Sequence, residues 1–223
     1  DNTLSATQSG SENKVDQYQQ GNNNTANSIQ GGTLGKVKQV QVGNDNINNL
    51  TSTGVGQIGS GNYSEDNQYG NGNEIFKGQS GANNYGRIDQ TGDDNYTSFG
   101  QYGTNGKGYV QQIGNGNTMY MGQWTGDENI AFSYQDTDNW GSIQQYGDDN
   151  QALLVQKSQG GAGHTAYITQ DGTHNMADVL QLGPDGNWAT DGEDCFFPDP
   201  VELNMPDPLP EVIIGHPCTD CPN

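Results

Sequence analysis

The recurrence of Gln-x-Gly-x-x-Asn at intervals of eleven residues constrains this chain more than any other feature, because an internal period fixes architecture before single residues are weighed. Gln8, Gly10 and Asn13 form the first copy and Gln19, Gly21 and Asn24 the second. Further copies are Gln68, Gly70, Asn73; Gln79, Gly81, Asn84; Gln90, Gly92, Asn95; Gln112, Gly114, Asn117; Gln145, Gly147, Asn150; Gln170, Gly172, Asn175; and Gln181 with Gly183. The marker Gln stands at positions 8, 19, 30 and 41, and again at 57, 68, 79, 90, 101, 112 and 123. Five extra residues around Ser52 to Gly56 separate the two runs and read as a loop inserted between repeats. Beyond Gln123 the register wobbles: Gln135 comes twelve on with Thr137 in the Gly place, Gln145 ten later, and three inserted residues precede Gln159 before Gln170 and Gln181 restore the period. Sixteen units result.

Within the hexad, Gly supplies a backbone conformation that other residues resist, and Asn bonds neighbouring amides, so the motif reads as a turn flanked by two inward polar anchors. Gly35, Gly106, His164 and Gly186 replace the Asn in some copies, which a turn tolerates. The five residues between one Asn and the next Gln alternate in character and read as a short strand. Its second place is small or apolar (Ala26, Ile75, Met119, Ala152). Its fourth is polar early in the chain (Gln17, Ser28, Gln39, Asp66, Lys77) and apolar from Ile88 onward (Phe99, Val110, Met121, Ile143, Leu154, Ile168, Val179), with Ser133 the exception. Odd places carry Tyr63, Tyr85, Arg87, Tyr96, Lys107 and Trp140, suited to an outer face. A helical eleven-residue repeat is the competing pattern, opposed by Gly in nearly every unit and by β-branched and aromatic strand places.

The fold expected is all-β: a β-solenoid of strand-turn-strand rungs, two units to a rung, spanning residues 1–187. An irregular, Pro- and Cys-containing acidic tail, 188–223, follows. Residues 22 apart then lie above one another, so Gln79 stacks on Gln101 and Gln123, while Gln68, Gln90 and Gln112 form the opposite column. Amide ladders of this kind satisfy a polar interior. They also reconcile order with a chain only 29% hydrophobic and of mean hydropathy -0.90, values that suggest disorder in an aperiodic sequence.

A net charge of -20 with only 7 Lys and Arg opposes binding to nucleic acid or to an anionic membrane, and no apolar run is long enough for insertion into a bilayer. Opening on Asp1, the chain is expected to be a mature or trimmed form whose export signal has been removed. Cys195, Cys218 and Cys221 all lie in the tail. A disulfide between two of them, a zinc set with His216, and a redox pair at Cys218 and Cys221 are the readings open. No nucleophile motif or paired-carboxylate cleft accompanies His164 and His174, so no catalytic residue, cofactor or metal site is assigned and the chain is not expected to be an enzyme. Asp127, Glu128, Asp148 and Asp149 should crowd two adjacent turns, as gatekeepers against aggregation or as a weak Ca²⁺ site.

Gln145-Tyr-Gly147-Asp-Asp-Asn150-Gln-Ala152-Leu-Leu-Val-Gln156 and Gln19-Gln-Gly21-Asn-Asn-Asn24-Thr-Ala26-Asn-Ser-Ile-Gln30 match the curlin repeat from Gln to Gln. On these residues the region from about 8 to 187 resembles the curlins, subunits of bacterial curli amyloid fibres. The resemblance implies a secreted subunit that self-assembles into extracellular β-solenoid fibres of a biofilm matrix and functions in adhesion. It also implies an outer-membrane secretion channel and a nucleator subunit as partners. Independently of the resemblance, nothing before Gln8 reads as a cap, so the first rung is expected to be open to another molecule, giving a homopolymer. A monomeric β-solenoid surface adhesin and an ice-binding protein are the alternatives.

Overall fold

In the computed structural model, residues 1–50, 56–158, 163–183, 186–190, 201–202 and 213–214 are described. Strands, numbered along the chain, alternate between two sheets. The first sheet contains β1 (Thr3–Ser11), β3 (Thr25–Thr33), β5 (Ile47–Leu50) with β6 (Gln57–Ser60), β8 (Glu74–Ala82), β10 (Tyr96–Thr104), β12 (Thr118–Thr125), β14 (Trp140–Tyr146) and β16 (Thr165–Asp171). The second contains β2 (Lys14–Gln20), β4 (Lys36–Val42), β7 (Tyr63–Tyr69), β9 (Tyr85–Thr91), β11 (Lys107–Ile113), β13 (Ile130–Gln135), β15 (Gln151–Lys157), β17 (Met176–Leu182) and β18 (Gly186–Thr190). Apart from β18, every neighbour in both sheets is parallel, and each strand crosses to the opposite sheet before the chain returns one level higher. The result is a β-solenoid of about eight turns. The rung from β1 and β2 is the first, and that from β16 and β17 the eighth.

The register is the one the period dictates. Gln79 pairs with Gln101, Gln101 with Gln123, and Gln68 with Gln90, each 22 residues apart. Where residues are inserted, the stacked side chains are preserved. Gln30 bonds to Gln57 across 27 residues, with β5 and β6 together filling the place of one strand. Keeping a ladder unbroken outweighs keeping a strand continuous, because each buried amide loses its partners if the register slips.

Between the sheets lies one narrow interior. From the fourth rung upward it is mainly apolar, Lys77 and Ser133 excepted, with Ile75, Ile88, Phe99, Val110, Met119, Met121, Ile143, Leu154 and Ile168 forming a single cluster. In the first three rungs polar side chains share it with Ala26, Val37 and Leu50: the Gln17 side chain donates to Gln39 Oε1 at 2.7 Å and Gln39 to Asn48 Oδ1 at 2.8 Å. The expected change of the fourth strand place from polar to apolar is therefore a change in the composition of the core.

One expectation is corrected. Gln156, not Gln159, is the fourteenth marker: Gln156 is buried and joins Gln135 to Gln181, at 2.8 and 2.7 Å. Gln159-Gly-Gly161 imitates the motif more closely than Gln156-Lys-Ser158 does, but only Gln156 keeps the eleven-residue spacing from Gln145; Gln159 lies outside the described residues. Gly186–Thr190 forms β18 and pairs antiparallel with β17, and Val201–Glu202 (β19) pairs antiparallel with Ile213–Ile214 (β20). The prolines of the tail lie outside all three strands and do not prevent them.

Candidate functional site: amide ladders and solenoid ends

Two uninterrupted Gln columns run the length of the solenoid. In the first, Gln8, Gln30, Gln57, Gln79, Gln101, Gln123, Gln145 and Gln170 are joined by seven Nε2-to-Oε1 bonds of 2.7–2.9 Å. In the second, Gln19, Gln41, Gln68, Gln90, Gln112, Gln135, Gln156 and Gln181 repeat the arrangement. Every bond points the same way, from lower to higher residue number. Gln8 excepted, the second hydrogen of these amides bonds a backbone carbonyl of the opposite sheet, as when Gln90 Nε2 donates to Glu74 O at 3.1 Å. Amide dipoles so aligned reinforce one another.

The Asn columns run in the opposite sense. Asn24, Asn46, Asn73 and Asn95 each present Oδ1 to the Asn one rung higher, which donates both its backbone N–H and its Nδ2, at 3.0–3.1 Å. The remaining Nδ2 hydrogen reaches the carbonyl of a Gly in the next rung: Asn73 to Gly92 at 2.7 Å and Asn95 to Gly114 at 2.8 Å. Gly92 has φ of 116°, which turns its carbonyl to that Asn. Asn175 closes the other column on Asn150 at 2.9 Å. Thus Gln, Gly and Asn of the motif act together, as the sequence expects.

A fourth turn place escaped the sequence reading. The residue before the Asn is left-handed throughout: Asn23, Asp45, Asn83, Asp94, Asn105, Glu128, Asp138, Asp149 and His174 have φ between 55° and 60°. The signal was present in the Asn, Asp and Gly that dominate this place, types that adopt this region most readily. The residue after the Gly forms its own outer ladder. Asp93 Oδ1 accepts from Asn71 N at 2.7 Å and Asn71 Nδ2 at 3.0 Å, and Asp127 N donates to Asp148 Oδ1 at 2.8 Å. Asp93, Asp127 and Asp148 therefore bind backbone N–H groups between rungs, a structural duty beyond solvation. Among the described residues no group of three or more His, Cys, Asp or Glu is placed to hold a metal ion. Cys195, Cys218 and Cys221 lie outside the described residues.

One buried ion pair interrupts the core. Lys77 Nζ lies 2.7 Å from Asp66 Oδ1 and donates to Gly86 O at 2.7 Å; both side chains are fully enclosed. Burial pushes the Asp66 carboxyl up and the Lys77 amine down, each opposed by attraction to the other. On the outer face of the second sheet, Lys38 bonds Glu65 at 2.6 Å and Arg87 pairs with Asp89 at 2.8 Å, while Tyr63 and Tyr85 stack at 5.3 Å. Tyr85 is pushed up to about 12, first by burial and then by the charge of Glu65. The first sheet carries an aromatic ladder, Phe76, Tyr96, Tyr120, Trp140 and Tyr167, with successive ring centres 4.6–5.8 Å apart.

The two ends differ. At the lower end β1 and β2 have one free edge each; β1 is exposed throughout, and the enclosed Oε1 of Gln19 has no hydrogen-bond partner. At the upper end β16 is likewise an edge strand among the described residues, whereas β17 is covered by β18. Gln170 Nε2 donates there only to Gln151 O, at 2.8 Å, among the described contacts. The lower end thus presents vacant amide acceptors and the upper end amide donors. No helix among the described residues is long and apolar enough to cross a membrane. No protein-family model, curated protein or solved structure matches the chain.

Proposed function

We propose that the chain is a structural subunit that stacks head to tail into curli-like extracellular amyloid fibres, contributing to a biofilm matrix and adhesion. The observation that carries this reading is the polarity of the Gln columns: the lower end lacks donors for Gln8 and Gln19, and the upper end offers the amides of Gln170 and Gln181. Complementary, non-identical end faces add without closing, which gives a filament. The parallel edge strands β1, β2 and β16, outermost among the described strands, favour the same addition. The curlin-like repeat supports the biological setting, with a secretion channel and a nucleator as partners that the resemblance implies.

Electron microscopy of the purified chain tests the reading. Unbranched fibres that seed growth from fresh protein are expected; particles that remain monomeric at high concentration over days would overturn it. A monomeric surface adhesin is the second reading, and β18 favours it, since a strand laid antiparallel over β17 closes half of the upper edge.

A further inference from the structure

Strand alternation turns Tyr96, Tyr102, Tyr120, Trp124, Trp140 and Tyr167 outward on the first sheet, because Gln101, Gln123, Gln145 and Gln170 of the same strands face the core. Tyr120 and Trp124 are each 39% exposed and Tyr167 71%. The second sheet is not open in this way: Tyr109 and Phe132, outward there by the same alternation, are each 4% exposed and belong to a second buried cluster. Glycine flattens the aromatic face. A side chain at Gly100 would meet the ring of Tyr102 and one at Gly122 the indole of Trp124, so both rings lie over the sheet, stacked on each other at 5.3 Å with planes 17° apart. Trp124 Nε1 donates to Gln144 Oε1, which holds the indole down. Charge marks the same face. Of the residues in the first-sheet strands only Glu74, Lys77 and Asp171 are ionic, and Lys77 is buried in the core. The six other basic residues lie on strands of the second sheet, and acids such as Asp94, Asp127 and Asp149 lie at the corners.

We propose that the outer face of the first sheet is where two copies of the chain pack side by side. Two copies of net charge -20 repel wherever acids oppose acids, and this face brings the fewest together. A two-fold axis running along the solenoid through the middle of the face sets each rung against its own copy. The first strand position then opposes the seventh, so Tyr96 meets Tyr102 of the second copy, Trp140 meets Tyr146, Glu74 meets Ser80 and Asp171 meets Thr165. Rings oppose rings, and no acid opposes an acid. The size also suffices. Eight rungs at about 4.8 Å, by strands of 7 residues at about 3.3 Å each, give a face of about 900 Å². A stable interface takes about 800 Å² from each partner. Glycines and flat-lying rings let the two sheets approach at the usual spacing of about 10 Å. Side-by-side pairing is independent of end-to-end addition, which buries only the end rungs.

Hydroxyl-radical footprinting of the soluble full chain over a range of protein concentrations, read by mass spectrometry, tests the pairing. As concentration rises, labelling of Tyr120 is expected to fall roughly tenfold, the ratio of its exposure to that of buried Tyr109, while exposed Tyr69 on the second sheet keeps its labelling. End-to-end addition leaves Tyr120, in the sixth rung, labelled. The double variant Thr118→Glu, Tyr167→Glu places carboxylates on the face without altering a core side chain. It is expected to keep Tyr120 labelled at every concentration, with core Met119 and Met121 still protected. If those methionines become labelled the variant has unfolded, and Tyr167→Glu alone takes its place with the same expectation. Labelling of Tyr120 that does not change with concentration, that falls equally at Tyr69, or that falls in the folded variant too overturns the pairing. So does protection that requires added hydroxyethylcellulose, a neutral polysaccharide, which would make a glycan the occupant of the face.

Discussion

Gly92 illustrates how much one residue carries in a stacked repeat. Its φ of 116° lies where L residues rarely go, and a Cβ there would collide with the carbonyl of Gly114 in the next rung. Gly92→Ala is expected to lower the stability of the soluble chain by about 1–3 kcal/mol or more from backbone strain alone, measured by thermal unfolding. A second residue-scale test concerns the buried pair. Lys77→Met leaves Asp66 enclosed without its partner and should cost about 3–5 kcal/mol, whereas Asp66→Leu with Lys77→Met should return stability to near the parent value or above it. Denaturant titrations of the two variants check this; equal losses would show that the pair is not acting as a unit. The Gln, Gly and Asn roles were legible because each recurs at one spacing. The Lys77–Asp66 contact was not: both residues appeared only as polar exceptions in the fourth strand place. Their meeting depends on strands 11 residues apart facing across the core.

At the scale of the strands, the two outer faces have different characters. The first sheet stacks aromatic rings from Phe76 to Tyr167, while the second carries paired charges and, higher up, an enclosed apolar surface. Burial alone would raise the Glu65 carboxyl, but the bond from Lys38 and the charge of Arg87 outweigh it and hold it below the usual range. A lowered folded value stabilises above the unfolded carboxylate range, and that stability is lost as pH falls through the folded value. Unfolding followed from pH 7 to pH 3 should therefore show an acid-induced loss that is smaller in Glu65→Gln; identical pH slopes would contradict the role given to this network. Strand positions and rung count were readable from the period, since insertions change spacing without changing the ladder. Faces were less readable. Alternation separates inside from outside only when nothing covers the outside, and Tyr109, Phe132 and Leu153 break that premise.

For the whole molecule, direction is the main property. Gln columns oriented one way and Asn columns the other give the solenoid unlike ends, and β18 makes them more unlike by occupying the upper edge of the second sheet. If growth adds a lower end to an upper end, β18 must leave β17 before the incoming β2 can pair. A variant with Trp188→Pro, which removes a backbone donor from β18, is expected to shorten the thioflavin lag and speed elongation; unchanged kinetics would mean that β18 does not limit growth. The antiparallel return was illegible in the sequence because residues 186–190 continue the solenoid's composition while reversing its direction. Mass per length measured by scanning transmission electron microscopy tests coaxial stacking most directly. Eight rungs at about 4.8 Å give a subunit repeat of about 38 Å, so a single protofilament of 23.9 kDa subunits should weigh about 6 kDa per nm and laterally paired fibres a whole multiple of that. A value that is no such multiple, or fibres without a 4.8 Å axial spacing, would contradict head-to-tail stacking of intact solenoids.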